Sequence, residues 1–302
     1  MYVGWEAPER ITRPAPIVLV HGGGGQGTDW LGTPDGRPGW AGQLVREGYL
    51  VYTVDRPGHG RSPHHPAVLG EMGSPFSYQA LRELFAPGRE GHTQWPGDGG
   101  LDDPLFDQVA APTGPMLADL GAGQALDADR LTKLLESAGP AIVVTHSAGA
   151  PGGWLAADAR PELIRALVAI EPMGPPFLAD PHGGPVLPWG LTAAPMTYQP
   201  AVADPAELAG GRFELPRLSG IPIAVLTAEA SAFAEFGPQV VEFLRAAGCD
   251  ATEVRLAEHG VRGNGHGLMF ERNNMATLRV VLDWLTSVGV SGSGDAGSGQ
   301  TA

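Results

Sequence analysis

Short apolar runs alternate with longer amphipathic stretches along most of this chain. Six of these runs predict strands, at residues 17–20, 50–54, 141–144, 166–170, 223–226 and 251–256. The stretches near and between them predict helices over about 38–47, 125–138, 148–159, 237–248 and 272–287. Val3 and Ile11 suggest a further hairpin near the start. Because strands that alternate with helices are typical of βαβ units, we predict an α/β fold with a mostly parallel central sheet and helices on both faces.

Two connections are too long to be ordinary loops. Residues 62–124 and 172–220 are rich in proline, glycine and aromatic residues. Connections of this length in a compact domain are usually functional. We therefore predict a single domain over residues 1–288, with these two segments forming a cap or lid over one site. The Gly/Ser-rich residues 289–302 are predicted to be a disordered tail.

Composition and charge exclude several classes of protein. With 43% hydrophobic and 17% charged residues, the 302-residue chain is typical of a soluble globular protein. A formal charge of −14 argues against nucleic acid or an anionic membrane as a partner. The single cysteine, Cys249, excludes an internal disulfide and a cysteine-based zinc cluster. Because neither a secretory signal nor a membrane-spanning apolar run is visible, we expect a cytoplasmic protein.

The sequence Thr145-His146-Ser147-Ala148-Gly149 joins a predicted strand to a predicted helix. An abrupt turn through small residues can expose a serine hydroxyl while the next backbone N–H points at a developing oxyanion. The usual pattern for such a turn is Gly-x-Ser-x-Gly, and Thr145 replaces its first glycine. Ser147 is therefore a candidate nucleophile, with the Ala148 amide as a candidate oxyanion donor.

The glycine run Gly22–Gly25 follows His21 at the end of another predicted strand. Glycines permit close backbone approach and positive φ, which an amide lining an anion pocket requires. A phosphate-binding loop is disfavoured, because the run lacks a Gly-Lys-Ser/Thr ending and Gly-x-Gly-x-x-Gly spacing. A flexible turn remains the alternative.

A serine nucleophile needs a histidine to accept its proton. His266 lies in Gly263-Asn264-Gly265-His266-Gly267, beyond the last predicted strand, and the glycines would let its ring lean over the sheet edge. We favour His266 over His259, the near competitor at the end of that strand. The other histidines are expected to pack, to bond backbone groups or to lie in the long segments: His21, His59, His64, His65, His92, His146 and His182.

A carboxylate is expected at the end of a strand, where it can orient the imidazole. Glu171 follows the predicted strand 166–170, and Glu229 follows 223–226. A glutamate at the end of a buried strand is costly unless it is paired. Glu229 is easily explained as an exposed carboxylate in the first turn of a helix. The same explanation fits Glu171 less well, because Glu171 stands between isoleucine and proline.

The sequence Asp55-Arg56-Pro57-Gly58-His59-Gly60-Arg61-Ser62 resembles the Asp-x-x-Gly-x-Gly-x-Ser turn of the α/β-hydrolase fold family, and His21-Gly22-Gly23 resembles its oxyanion loop. More narrowly, the 24-residue spacing from Ser147 to Glu171 and the loop around His266 resemble bacterial esterases whose triad acid follows the sixth strand. This resemblance implies a triad of Ser147, His266 and Glu171. It also implies an oxyanion hole formed by the Gly23 and Ala148 amides.

These features predict a serine hydrolase that cleaves a hydrophobic, medium-sized carboxylic ester or lactone through an acyl-enzyme, without a cofactor or metal. Amidase, transacylase or haloperoxidase-like chemistry on the same triad is the alternative, and a non-catalytic binding module is less favoured because all three side chains are retained. The sequence leaves the oligomeric state open and is compatible with a homo-oligomer. Candidate substrate contacts in the long segments are Trp95, Phe106, Met173, Phe177, Trp189 and Met196.

Overall fold

Seven strands form one sheet in the computed structural model, which describes residues 1–180 and 184–292. The strands are β1 Tyr2–Glu6, β2 Ile17–Val20, β3 Val51–Asp55, β4 Ala141–His146, β5 Ile164–Ile170, β6 Ile223–Thr227 and β7 Ala251–Arg255. Their order is β1-β3-β2-β4-β5-β6-β7. Only β1 runs antiparallel to its neighbour within this described sheet, so the predicted mostly parallel α/β architecture is confirmed.

The start of the chain differs from the prediction. Val3 lies in β1, which pairs with β3 across the sheet, whereas Ile11 is half exposed and lies outside any strand. The expected hairpin is therefore wrong, because β3 offers an unpaired edge that β1 occupies. In chain order, the strand before Glu171 is β5.

Both faces of the sheet are covered, which is the usual condition of a parallel sheet. Along β2, Ile17 and Leu19 enter one apolar layer while Val18 and Val20 enter the other. The first layer is covered by α1 Trp40–Arg46, α3 Tyr78–Phe85, α4 Pro104–Ala110 and α8 Asn274–Ser287. The second is covered by α5 Leu120–Ala138, α6 Ala150–Ala159 and α7 Phe236–Ala246.

The two long segments are built differently from each other. Residues 62–124 contain the short helix α2 Pro66–Leu69, then α3, α4 and the beginning of α5. The described part of 172–220 contains no α-helix or strand, only the 3-10 turn Pro205–Leu208 and isolated bridges. His182 and residues 293–302, which hold most of the predicted tail, lie outside the described residues.

The order in which the strands are added reverses beside β2, which has β3 on one side and β4 on the other. In open parallel sheets, such a switch point leaves a crevice at the carboxyl ends of the strands. Gly22 and Gly23 follow β2 at this edge, and Ser147 follows β4. The topology therefore brings these two sequence motifs side by side.

Candidate active site

Ser147 occupies the turn between β4 and α6 with a φ of 50°. This left-handed conformation is uncommon for a non-glycine residue and recurs at functional sites. The turn is tight: a Cβ placed on Gly149 would lie 2.4 Å from the carbonyl oxygen of His21. Glycine is therefore required at position 149.

Thr145 fits at this turn because the residue of α6 that packs against it, Gly153, has no side chain. A Cβ on Gly153 in α6 would lie 2.7 Å from Cγ2 of Thr145. Thr145 is fully buried, and its methyl group uses the space that a larger residue at 153 would occupy. The departure from the Gly-x-Ser-x-Gly pattern is thus accommodated in the neighbouring helix.

Ser147 lines a cavity of about 180 Å³. Gly23 and Ala148 also line it, and a Cβ on Gly23 would lie 3.3 Å from that of Ala148, so the two predicted oxyanion residues face each other. Within the described chain, the Gly23 amide has no hydrogen-bond partner. Most other wall residues are apolar, and the majority of those come from residues 62–124: Phe76, Leu84, Phe85, Val109, Pro112 and Met116.

A buried ion pair holds the loop that carries Gly23. The guanidinium of Arg56 lies 2.9 Å from the Asp127 carboxylate and donates to the carbonyl oxygen of Gly22 at 3.0 Å. The backbone N–H of Arg56 donates to Nε2 of His21 at 2.9 Å. These bonds connect the glycine loop to β3 and α5, so its backbone is fixed in position.

Glu171 directly follows β5 with a φ of 46°, and its side chain is buried. One carboxylate oxygen accepts the Ala228 N–H at 2.6 Å, and the other accepts the hydroxyl of Ser231. Oε2 also lies 3.5 Å from Nδ1 of His266, which is longer than the usual N–H···O distance of about 2.9 Å. Burial raises the pKa of Glu171 to about 8, and the nearby Glu271 carboxylate acts in the same direction.

The ring of His266 is enclosed by aromatic residues. Its centroid lies 4.3 Å from that of Phe233 and 5.4 Å from that of Phe85, and both phenylalanines line the cavity. Burial lowers the pKa of His266 to about 3, so the ring is neutral at physiological pH. Its Nε2 is buried without a hydrogen-bond partner among the described residues, Ser147 included. This ring nitrogen is therefore free to accept a proton.

A second buried carboxylate holds the loop that carries His266. Glu271 accepts hydrogen bonds from the Gly265 N–H at 2.9 Å and from Nδ2 of Asn264 at 2.6 Å. It also lies 2.6 Å from Nε2 of His92, which belongs to the segment 62–124. We call His92, Asn264, Gly265 and Glu271 the histidine-loop clamp.

The competing acid and base lie at the surface. Glu229 is exposed, and its two oxygens accept from Arg262 and from the Gly263 N–H, each at 3.0 Å. His259 is also exposed, on a turn after β7. His146 packs against His266, with ring centroids 4.6 Å apart, as expected for a residue whose side chain diverges from Ser147.

Of the six candidate substrate contacts, only Met173 lines the cavity. Trp95 is 1% exposed, and its Nε1 donates to Asp103 while its ring packs on Phe106. Trp189 is buried in the second apolar layer. The structure therefore does not bring Trp95 or Trp189 to the cavity, because both side chains anchor their own segments to the core.

Comparison with known proteins shows the family to which the chain belongs. A family model described as the alpha/beta hydrolase fold matches residues 15–195. A probable secreted lipase, phiG, from a fungal species (strain ATCC 74256) is 35% identical over 316 residues, which cover 94% of this chain and 85% of the lipase. The chain therefore belongs to the α/β-hydrolase family, as the sequence motifs predicted.

Solved structures show the same fold. One, described as a novel bacterial esterase, superposes with a TM-score of 0.65 at 23% identity, covering 95% of this chain and 85% of the esterase. A predicted CIB-like hydrolase from Thermoplasma acidophilum gives a TM-score of 0.50 at 14% identity, covering 94% of this chain and 92% of that one. At these identities the likeness concerns the fold.

Proposed function

We propose that this chain is a serine hydrolase that cleaves an apolar carboxylic ester or lactone through an acyl-enzyme, with Ser147, His266 and Glu171 as its triad. The observation that carries the proposal is that the candidate residues lie together at one edge of the sheet. A strained, cavity-facing serine follows β4, and a buried Glu171–His266 pair at the same edge has a free Nε2. The identity to a protein named as a lipase supports the same class of reaction.

In the first half of the reaction, Oγ of Ser147 bonds to the ester carbonyl carbon while its proton passes to Nε2 of His266. The Gly23 and Ala148 amides donate to the oxyanion, an interaction worth about 3–4 kcal/mol per donor in comparable sites. When the carbon–oxygen bond to the alcohol breaks, the proton moves from Nε2 to the alcohol oxygen. In a lactone that alcohol stays tethered to the acyl group.

In the second half, water gives a proton to Nε2 as its oxygen bonds to the acyl carbon. The new tetrahedral species releases the carboxylic acid, and the proton returns to Ser147. The imidazolium exists only during these steps. Ionised Glu171 stabilises that charge and fixes which ring nitrogen carries the proton.

The cavity limits the substrate. An apolar cavity of about 150 Å³ holds one benzene molecule, so the 180 Å³ available here fits a group of roughly six carbons. Its mostly apolar walls favour a hydrocarbon chain along most of the cavity. The proposed substrate is therefore an ester or lactone with a short to medium apolar group, not one with a long acyl chain.

The proposal is tested with p-nitrophenyl esters of graded chain length and a fluorophosphonate probe. Wild-type enzyme should prefer short to medium acyl groups and should be labelled on one serine. Ser147→Ala should lose labelling and about 10⁴–10⁶ of kcat, because no other group can supply the nucleophile. Exposed Ser219→Ala is the matched control and should behave as wild type.

Two outcomes would contradict the proposal. If Ser147→Ala keeps more than a few per cent of activity with unchanged melting, Ser147 is not the nucleophile. If long-chain esters are preferred throughout, this cavity does not hold the acyl group.

The cellular location is a separate question. No helix in the described parts of the chain combines the length and apolar character needed to cross a bilayer. Our proposal of a cytoplasmic enzyme derives from the sequence alone, and the matching fungal protein carries the word secreted in its name. Fractionation of the producing cells, with activity assayed in the medium and in the lysate, decides between the two locations.

A further inference from the structure

The described residues that line the cavity of Ser147 include one carboxylic acid, Asp29, and no glutamate, lysine or arginine. It belongs to the 3-10 turn Gly27–Trp30, which follows the glycine loop. Asp29 also lines a neighbouring cavity of about 240 Å³, together with Val109, Pro112 and Phe270. These three residues line both cavities, so the carboxyl group stands where the two spaces meet.

The glycine loop leaves room for this carboxyl group. A Cβ placed on Gly25 would lie 2.3 Å from Oδ2 of Asp29, a distance at which no side chain could remain. Oδ2 accepts the backbone N–H of Gln26 at 3.2 Å. Asp29 is thus held against the same loop that carries Gly23, two residues before Gly25.

No described lysine or arginine is paired with Asp29. Burial raises its pKa to about 7, and the negative charge of Asp55 adds to the effect. The charge of Asp55 is itself neutralised by Arg61 at 2.7 Å. A partly buried carboxyl group that lines both cavities is therefore left without a partner of opposite charge.

Asp29 has a local role as the third residue of the turn Gly27–Trp30, where its side chain closes a capping box with Gln26. Bonding the Gln26 N–H requires one acceptor oxygen, which asparagine or serine would also supply. Partly burying a carboxyl group without a charged partner costs free energy that those residues would avoid. The arrangement is explained if the partner arrives with the substrate.

We propose that Asp29 is a specificity-determining residue that binds a hydrogen-bond donor, a hydroxyl or a protonated amine, on the substrate of this site. The inference rests on the proposed ester hydrolysis and narrows it. The substrate is an ester or lactone whose apolar chain ends in a donor group. With the carbonyl at Gly23 and Ala148, that group lies beyond Gly25, at the junction of the two cavities.

The test uses matched esters that differ only at the chain end: a methyl group, a hydroxyl or an ammonium. One series carries the group on the acid, as in methyl hexanoate, methyl 6-hydroxyhexanoate and methyl 6-aminohexanoate. The other series carries the group on the alcohol, as in hexyl acetate, 6-hydroxyhexyl acetate and 6-aminohexyl acetate. The readout is the ratio of kcat/KM for each donor-bearing ester to that of its methyl-ended partner, measured by pH-stat titration.

In at least one series, Asp29→Asn should lower the wild-type ratio for the ammonium ester by about ten- to a hundredfold, because a charge-assisted hydrogen bond is lost. The hydroxyl ratio should fall less, since the amide keeps an acceptor oxygen. Exposed Asp102→Asn is the control and should leave both ratios unchanged. If Asp29→Asn does not fold, Asp29→Ser, which keeps an acceptor for Gln26, replaces it.

Ratios that are the same in wild type and in the Asp29 variant, in both series, would overturn the role of Asp29 while leaving ester hydrolysis intact. Failure of every ester to turn over, with no fluorophosphonate labelling of Ser147, would overturn the proposed function itself. The two failures are therefore distinguishable. The series that responds shows whether the donor is on the acid or on the alcohol.

Discussion

Glu171 and His266 are both held in a low-dielectric environment that favours their neutral forms. Burial raises the pKa of Glu171 to about 8 and lowers that of His266 to about 3. His266 is then ready to accept a proton over the whole physiological range. The state of Glu171 is what changes near neutral pH, because only its ionised form can stabilise the imidazolium.

We therefore expect kcat/KM to rise with pH towards a plateau above about pH 8, as Glu171 loses its proton. A bound substrate that charges the pair would shift this limb, since the two groups titrate together. Glu171→Gln should remove the limb and lower kcat by up to about 10⁴. The measurement is a pH profile of kcat/KM for both enzymes on a neutral ester.

Glu229→Gln is the control for this prediction, because Glu229 is an exposed partner of Arg262. It should keep near-wild-type activity and the same pH profile. Equal losses in the two variants, or a larger loss at Glu229, would transfer the role of the acid to the residue after β6.

The sequence indicated the candidate residues at strand ends, but not the side chains that contact them. Glu171 could be proposed from sequence because it follows a buried strand between isoleucine and proline and because its 24-residue spacing from Ser147 resembles that of a group of esterases. Ser231, which donates to Glu171, and Asp29 have no such signal: Ser231 meets its partner across 60 residues of chain. Contacts of this kind depend on how loops pack, which single-residue preferences do not determine.

The histidine-loop clamp joins two regions that are distant in sequence, the loop after β7 and the segment 62–124. Its buried carboxylate, Glu271, holds the backbone at Gly265, next to His266, and pairs with His92 in the segment 62–124. None of its hydrogen bonds goes to Ser147, Gly23 or Ala148. Its bonds fix the backbone next to His266, the proposed base.

We expect Glu271→Gln to lower kcat by about ten- to a hundredfold with a smaller change in KM, because small displacements of a catalytic group are costly. Glu271→Ala should lose more of kcat, since it also leaves Nε2 of His92 without its partner. Steady-state kinetics and thermal melting of both variants check this. Exposed Glu258→Gln is the control. A lower melting temperature with unchanged kcat would mean that the clamp only stabilises the fold.

At the level of elements, sequence periodicity located the strands and the long helices to within a few residues at most ends. The helices α2, α3 and α4 were not predicted, because they are short and lie in a segment dominated by proline and glycine. Nor could the sequence distinguish the two long segments. Residues 62–124 supply much of the cavity wall, whereas Met173 is the only described residue of 172–220 that reaches it.

For the molecule as a whole, the buried acid has a cost that depends on pH. Glu171 has a pKa of 4.5 in an unfolded chain and about 8 in the folded one. Between these values the folded state binds more protons than the unfolded state, so the contribution of Glu171 to stability falls as pH rises. Activity is expected to rise over the same interval.

We therefore expect Glu171→Gln to be increasingly stable relative to wild type as pH rises from 6 to 8. The difference in free energy of unfolding should grow by up to about 1.4 kcal/mol per pH unit. Denaturant unfolding at several pH values measures it, and Glu229→Gln provides a comparison that should show no such trend. A difference that stays constant or shrinks with pH would mean that Glu171 is ionised in the folded protein throughout.

The contact between Thr145 and Gly153 restricts the routes by which this sequence can evolve. While threonine is present at 145, alanine at 153 would place two carbons 2.7 Å apart, so only glycine is accessible there. Replacement of Thr145 by glycine would free position 153 to vary. A lineage could therefore reach a Gly-x-Ser-x-Gly turn with a larger residue in the helix only if position 145 changed first. Related sequences should carry a small residue at one or both of these positions, and a search that demands glycine on both sides of the serine would omit the branch to which this chain belongs.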